Sequence, residues 1–232
     1  MMLPVDIDDP TTWPPEIYRT VADWADSCDG STTHTTDLPL SPALDDSFRE
    51  SFRGILVRAY HYTRLLPHER QLVLSEGLRP LSARLLHDRI ESARLVGAIS
   101  APEAAQFHEA HVFAAGEQKN REGRVCLVLS RRTLERDLDG CLPLLTTWGG
   151  EGLYRSSRGV PFRERFRTLG SPAAVVALLD LSEHVPKHLI FPGLYKAFVG
   201  SLLRLDDARA EVHYFSPVPP EHIERIEEVP LG

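Results

Sequence analysis

Five arginines, Arg155, Arg158, Arg163, Arg165 and Arg167, crowd the stretch from 155 to 167 against the single acid Glu164. Guanidinium forks match phosphate oxygens, so this +4 segment suits a dinucleotide pyrophosphate or a nucleic-acid backbone, and a solvated loop is the plainer alternative. It directly follows Trp148-Gly-Gly-Glu-Gly-Leu-Tyr154. The glycines there lack the lysine and Ser/Thr of a phosphate loop and read as a turn. Among ten histidines, His108-Glu-Ala-His111 would put two imidazoles on one helix face, but the spacing is not His-Glu-x-x-His and no third ligand is at hand, so no metal is expected. Cys28, Cys126 and Cys141 are odd in number and lack metal-type spacing, which reads as structural free thiols of a reducing compartment. Walker, Gly-x-Gly-x-x-Gly, Gly-x-Ser-x-Gly and kinase signatures are absent.

These residues must be positioned by a chain of 232 residues, 42% hydrophobic and 25% charged, which excludes disordered, collagenous and coiled-coil classes. No apolar run approaches the roughly 18 to 20 residues of a membrane span, and Met1 to Pro15 carries acids where a signal peptide carries bases, so a cytoplasmic protein without membrane partners is expected. The net charge of −7 is unevenly spread. Residues 1–45 hold nine acids and one base, Arg19, which leaves 24 acids and 25 bases for the remaining 187. We read 1–45 as an acidic, proline-rich arm, either loosely packed or covering a basic groove, and 46–232 as the folded domain.

Within the arm, Pro15 to Ala25 reads as a short helix. The body opens with a strand, Gly54 to Thr63, followed by a helix from Pro67 capped by Gly77. A second helix follows Ser82, and a third starts at the capping box Ser100-Ala-Pro-Glu103 and runs to about Lys119. Arg124 to Ser130, Ala173 to Leu181 and Glu211 to Ser216 read as strands, with Lys196 to Leu203 a further candidate. Helices early and strands late predict an α+β domain.

Ala59-Tyr-His-Tyr-Thr-Arg64, with its following helix ending in Glu76-Gly-Leu78, resembles the first strand and helix of ADP-ribosyltransferases of the His-Tyr-Glu branch. That branch includes diphtheria-like toxins, poly(ADP-ribose) polymerases and DNA-modifying toxins of toxin–antitoxin pairs. Ala210-Glu-Val-His-Tyr-Phe-Ser-Pro-Val-Pro-Pro-Glu-His-Ile-Glu-Arg-Ile226 looks like that fold's late strand, which begins with the catalytic glutamate. Tyr154, the only tyrosine between 63 and 194, is the candidate for the middle letter. Tyr62 stands where many members carry glycine, which the looser His-x-Thr start of the DNA-targeting branch accommodates. The Arg-Ser-Glu branch, arguable from Arg58 and Ser156-Ser157, would need an acid where Arg209 stands.

The resemblance implies split, bent β-sheets around an NAD cleft, with helices clustered in the N-terminal half. It implies a mono-ADP-ribosyltransferase that uses NAD as substrate and modifies a nucleic acid or protein, in the setting of a bacterial toxin or defence effector with an antitoxin or inhibitor partner. Glu211 would stabilise the oxocarbenium-like state as the nicotinamide–ribose bond breaks. Tyr154 would stack on nicotinamide with Trp148 as a second wall, and His61 would bond a ribose hydroxyl. Tyr62, Thr63, Gly149, Gly150 and Arg155 complete the implied NAD contacts. Two other readings stay open: a non-enzymatic nucleotide- or partner-binding module of the same fold, and an NAD glycohydrolase with water as acceptor.

Overall fold

The computed structural model describes residues 3–28, 33–38, 42–117, 121–136, 138–182, 188–205 and 210–231. Among them the chain forms α1 (Pro15–Ser27), α2 (Pro42–Glu50), β1 (Leu56–Leu65), α3 (Pro67–Glu76), α4 (Ala83–Leu95) and α5 (Ala101–Ala110). Next come β2 (Val125–Val128), α6 (Arg132–Arg136), α7 (Leu138–Thr146), α8 (Glu151–Tyr154) and α9 (Arg163–Thr168). The remainder is β3 (Ser171–Asp180), β4 (His188–Phe191), α10 (Leu194–Leu202), β5 (Glu211–Tyr214) and β6 (Ile223–Glu228). The strands form one antiparallel sheet in the order β4-β5-β2-β1-β3-β6. Tyr60 of β1 lies opposite Val128 of β2, and Phe191 of β4 opposite Glu211 of β5. The fold is α+β, as expected.

The chain divides into two compact units. The first comprises Met1–Tyr60, Cys126–Asp137 and Val176–Phe215. Its core is aromatic: Phe52 stands 5.1 Å from Phe198 and 5.2 Å from Phe48, ring centre to ring centre, and Trp13 stands 4.9 Å from Phe198. The described part of the arm belongs to this core. Val5 pairs in parallel with Val57, its N–H donating to Leu56 O at 2.9 Å and its carbonyl accepting from Arg58 N at 2.8 Å. Asp6 bridges Arg58 at 2.8 Å, and Asp8 accepts the Ser130 hydroxyl and the Arg131 amide, each at 2.7 Å. Asp6 and Asp8 of the leader are thus met by a base, a hydroxyl and an amide of their own unit, which takes in Met1–Tyr60. Residues 29–32 of the polar run lie outside the described residues.

The second unit comprises His61–Val125, Leu138–Val175 and Ser216–Gly232. Its core gathers Leu66, Ile90, Phe107, Trp148, Leu153 and Phe166. The expected start and stop signals hold here. Pro67 occupies the first turn of α3, the Ser82 hydroxyl accepts Leu85 N at 3.1 Å, and Ser100 and Glu103 cap α5 reciprocally. Gly77 ends α3 at φ 82°, and a Cβ there would fall 1.9 Å from Val218 O, so the close antiparallel bridge of Leu78 to Val218 demands glycine.

Three expectations are corrected. α5 stops at Ala110, not near Lys119, which lies outside the described residues. His111 turns to extended backbone, and Val112 then donates to Gly152 O at 2.9 Å. Lys196 to Leu203 is not a strand, since α10 covers most of it and buries every residue from Leu194 to Ser201. Helices also interleave with the later strands instead of clustering early.

The burial of Trp13, 5% exposed with its indole N–H on Asp6 O at 2.7 Å, generates a prediction. Trp13→Ala lowers stability by about 3–5 kcal/mol in denaturant titration, where a loosely packed arm would give no change.

Candidate functional site

In the first unit, Glu211 opens β5. Alternation along the strand buries Val212 on one face and leaves Glu211 and His213 together on the other. The β4 register sets Phe191 opposite Glu211 and Leu189 opposite His213, and the Phe191 and His213 rings meet at 5.5 Å. On the β2 side, Leu129 N donates to Ala210 O at 2.9 Å. Glu211 Oε1 lies 2.8 Å from His213 Nε2, and the Glu211 side chain is 40% exposed. The result is a carboxylate with a fixed partner and an open side, which can face a developing positive charge. The thiol of Cys126 on β2 completes a group with Glu211 and His213 whose ligand atoms all lie within 4.8 Å of one another.

In the second unit, His61 and Thr63, two apart on β1, line a cavity of about 140 Å³. Leu65, Leu72, Val73, Leu78 and Leu85 give it apolar walls, and Glu69, Arg79, Asp88 and Arg89 give it charge. It is smaller than the roughly 300–1,000 Å³ of sites that enclose a whole drug-sized ligand, and fits one ring with its substituent. Glu69, on α3, is buried beside it. Its Oε1 accepts Arg89 Nε at 2.6 Å, and its Oε2 accepts Leu66 N at 2.8 Å and Trp148 Nε1 at 2.9 Å. Burial pushes the Glu69 carboxyl up, but the Arg89 charge and these hydrogen bonds outweigh it and hold the group below the usual range.

The other residues implied for NAD lie elsewhere. Tyr62 is buried on β1 and does not line the cavity. Trp148 is 0% exposed, with Arg89 stacked 5.3 Å from its ring centre, so it is a core residue and not an open wall for nicotinamide. Gly149 and Gly150, at φ 84° and 54°, form the turn after it. Tyr154 ends α8. Its hydroxyl, pushed up by burial and by the neighbouring Glu151 carboxylate against the opposing hydrogen bond from Arg155, stays protonated and donates to Glu151 at 3.4 Å. Arg155 pairs with Glu151 at 3.0 Å. The structure therefore groups His61 with Thr63, and Tyr154 with Arg155, while Glu211 belongs to the other unit.

The arginine stretch is largely neutralised. Besides Arg155, Arg165 meets Glu103 at 2.6 Å and Ala98 O at 2.8 Å, and Arg167 meets Glu164 at 2.6 Å. The phosphate reading of 155–167 thus loses three of its five cations to local acids. Sequence patterns do not single out Glu69, Arg89, Cys126 or His213 as site residues. Glu69 alone carried a sequence signal, as an acid in the first turn of a helix opened by proline.

No helix among the described residues is long and apolar enough to cross a membrane. Comparison with family models, curated proteins and solved structures gives no match.

Glu69→Gln leaves Arg89 without its countercharge and costs about 3 kcal/mol in denaturant unfolding, at the low end for a broken buried pair because Arg89 keeps some solvent access. Glu103 is held down to about 2 by the Ser100 amide, Arg165 and the Ser100 hydroxyl. Its contribution is complete above about pH 4.5 and fades as the pH falls toward 2, so Glu103→Gln flattens the stability curve across that window when melting is followed against pH.

Proposed function

We propose that the protein is an NAD-dependent mono-ADP-ribosyltransferase in which Glu211 is the carboxylate that drives transfer. The observation that carries this reading is Glu211 itself, the first residue of β5, with one side open to solvent and an oxygen held by His213 at 2.8 Å. In the reaction the bond between nicotinamide nitrogen and ribose C1′ breaks, and its electron pair leaves with nicotinamide. The oxocarbenium-like ribose is then taken by an acceptor nucleophile, which gives up its proton. A carboxylate near the ribose stabilises the positive charge and orients the 2′-hydroxyl. His61, which lines the cavity in the second unit, is the residue to which the family resemblance gives the bond to a ribose hydroxyl. The acceptor is a macromolecule, nucleic acid or protein. The pairing of Arg155, Arg165 and Arg167 with acids removes the leaning toward nucleic acid that their number alone suggests.

Nicotinamide release from NAD by the full chain tests the reading, with and without added lysate. Release is expected to rise with lysate and to fall on the order of 100-fold in Glu211→Gln, the size of one preorganised electrostatic contact. Release that ignores lysate and yields free ADP-ribose would make the protein a glycohydrolase, and no release, or release indifferent to Glu211, overturns the proposal.

A further inference from the structure

Cys126, Glu211 and His213 stand far apart in sequence as a set but come together by strand pairing. Glu211 and His213 share a face of β5 because they are two residues apart, and Cys126 reaches the same place from β2, the next strand of the sheet. All three belong to the first unit. We propose that these side chains form a binding site for a divalent cation of the zinc class, independent of the transferase reading.

The donor set selects the metal. A thiolate and an imidazole favour a borderline-soft ion such as Zn²⁺ over Mg²⁺ or Ca²⁺, which take oxygen ligands. Zinc–ligand bonds of about 2.0–2.3 Å in a tetrahedron place neighbouring donor atoms about 3.3–3.7 Å apart. The donors here lie within 4.8 Å of one another, with Glu211 and His213 at 2.8 Å. Small side-chain rotations therefore bring the set to coordination distance, with no movement of the strands. On binding, the Cys126 thiol loses its proton to solvent and His213 coordinates as the neutral ring. Backbone pairing already fixes the origins of the three side chains, so little ordering is needed. The Phe191 ring packs against that of His213 at 5.5 Å, the partial exposure of Glu211 gives the ion access, and three protein ligands leave a fourth position for water. If Glu211 also serves transfer, metal and reaction compete for one carboxylate.

The test uses the full, reduced chain without NAD. Cobalt(II) is titrated while the thiolate-to-cobalt charge-transfer absorption is followed, and zinc affinity is measured against a chromophoric chelator. One equivalent of cobalt is expected to give the band, Cys126→Ser to abolish it, and Cys28→Ser to keep it. Zinc affinity is expected to fall at least about tenfold in Cys126→Ser and in Glu211→Gln. The Glu211→Gln arm keeps the test decisive if Cys126→Ser fails to fold, since Glu211 is partly exposed. Absence of the band in the unaltered chain, its survival in Cys126→Ser, or an unchanged zinc affinity in Glu211→Gln overturns the proposal. Because binding is read without NAD, a chain that binds zinc but releases no nicotinamide sinks only the transferase, and the converse sinks only the metal site.

Discussion

Glu69 is a charged group placed where water is nearly excluded, and the second unit is arranged around keeping it charged. An uncompensated buried carboxylate would cost several kcal/mol, so each oxygen is given a donor. Three separate pieces of chain supply them: the Leu66 amide at the entry to α3, Arg89 from α4, and the indole of Trp148. These contacts orient α3 and α4 along the cavity that His61 and Thr63 line. They also explain why Trp148 is no ligand wall. An indole whose N–H is committed to a buried carboxylate and whose face is covered by Arg89 belongs to the core, whatever its glycine-rich neighbours suggest.

Elements with strong local punctuation were legible in the sequence. Proline at the head of α3, Gly77 at its end, Ser82 before α4 and the Ser100–Glu103 box act through the backbone groups they satisfy, and tertiary packing has no reason to override them. Where burial surrounds an element, the pattern fails. α10 is apolar nearly all round, and a continuously apolar segment has no period to separate helix from strand. The end of α5 is illegible for a different reason, since the bond from Val112 to Gly152 is a distant pairing with no trace in the local sequence.

Charge misled in a consistent way. The acidic leader and the arginine stretch both look, when summed along the chain, like fields aimed at a partner. In the fold several of these charges are met at short range: Asp6 by Arg58, Asp8 by the Ser130 hydroxyl and Arg131 amide, Arg167 by Glu164 three residues before it, and Arg155 by Glu151 four before it. Counts of like charge report composition. Only the fold reveals that the acid answering Arg165 is Glu103, 62 residues earlier. The chemistry-bearing residues divide in the same way. Glu211 and His61 could be picked out because each sits in a short run resembling a known family, whereas Cys126 looked like an inert thiol because its neighbours in space come from another strand.

The two uses argued for Glu211 ask different things of His213. For transfer, the imidazole holds the carboxylate in place, so the pair must stay at hydrogen-bonding distance. For a metal, the same two groups separate slightly to admit the ion, and the carboxylate's charge is spent on it. Both follow from one structural fact, that residues two apart on a strand share a face and β5 has its neighbours paired on both sides. A strand paired on both sides that sets a half-exposed glutamate and a buried histidine on one face, with a cysteine beside them, creates a concentrated donor set regardless of which partner arrives. What decides between partners is then their own chemistry: a developing cation on a sugar needs only the carboxylate, and a borderline-soft ion gains from all three groups.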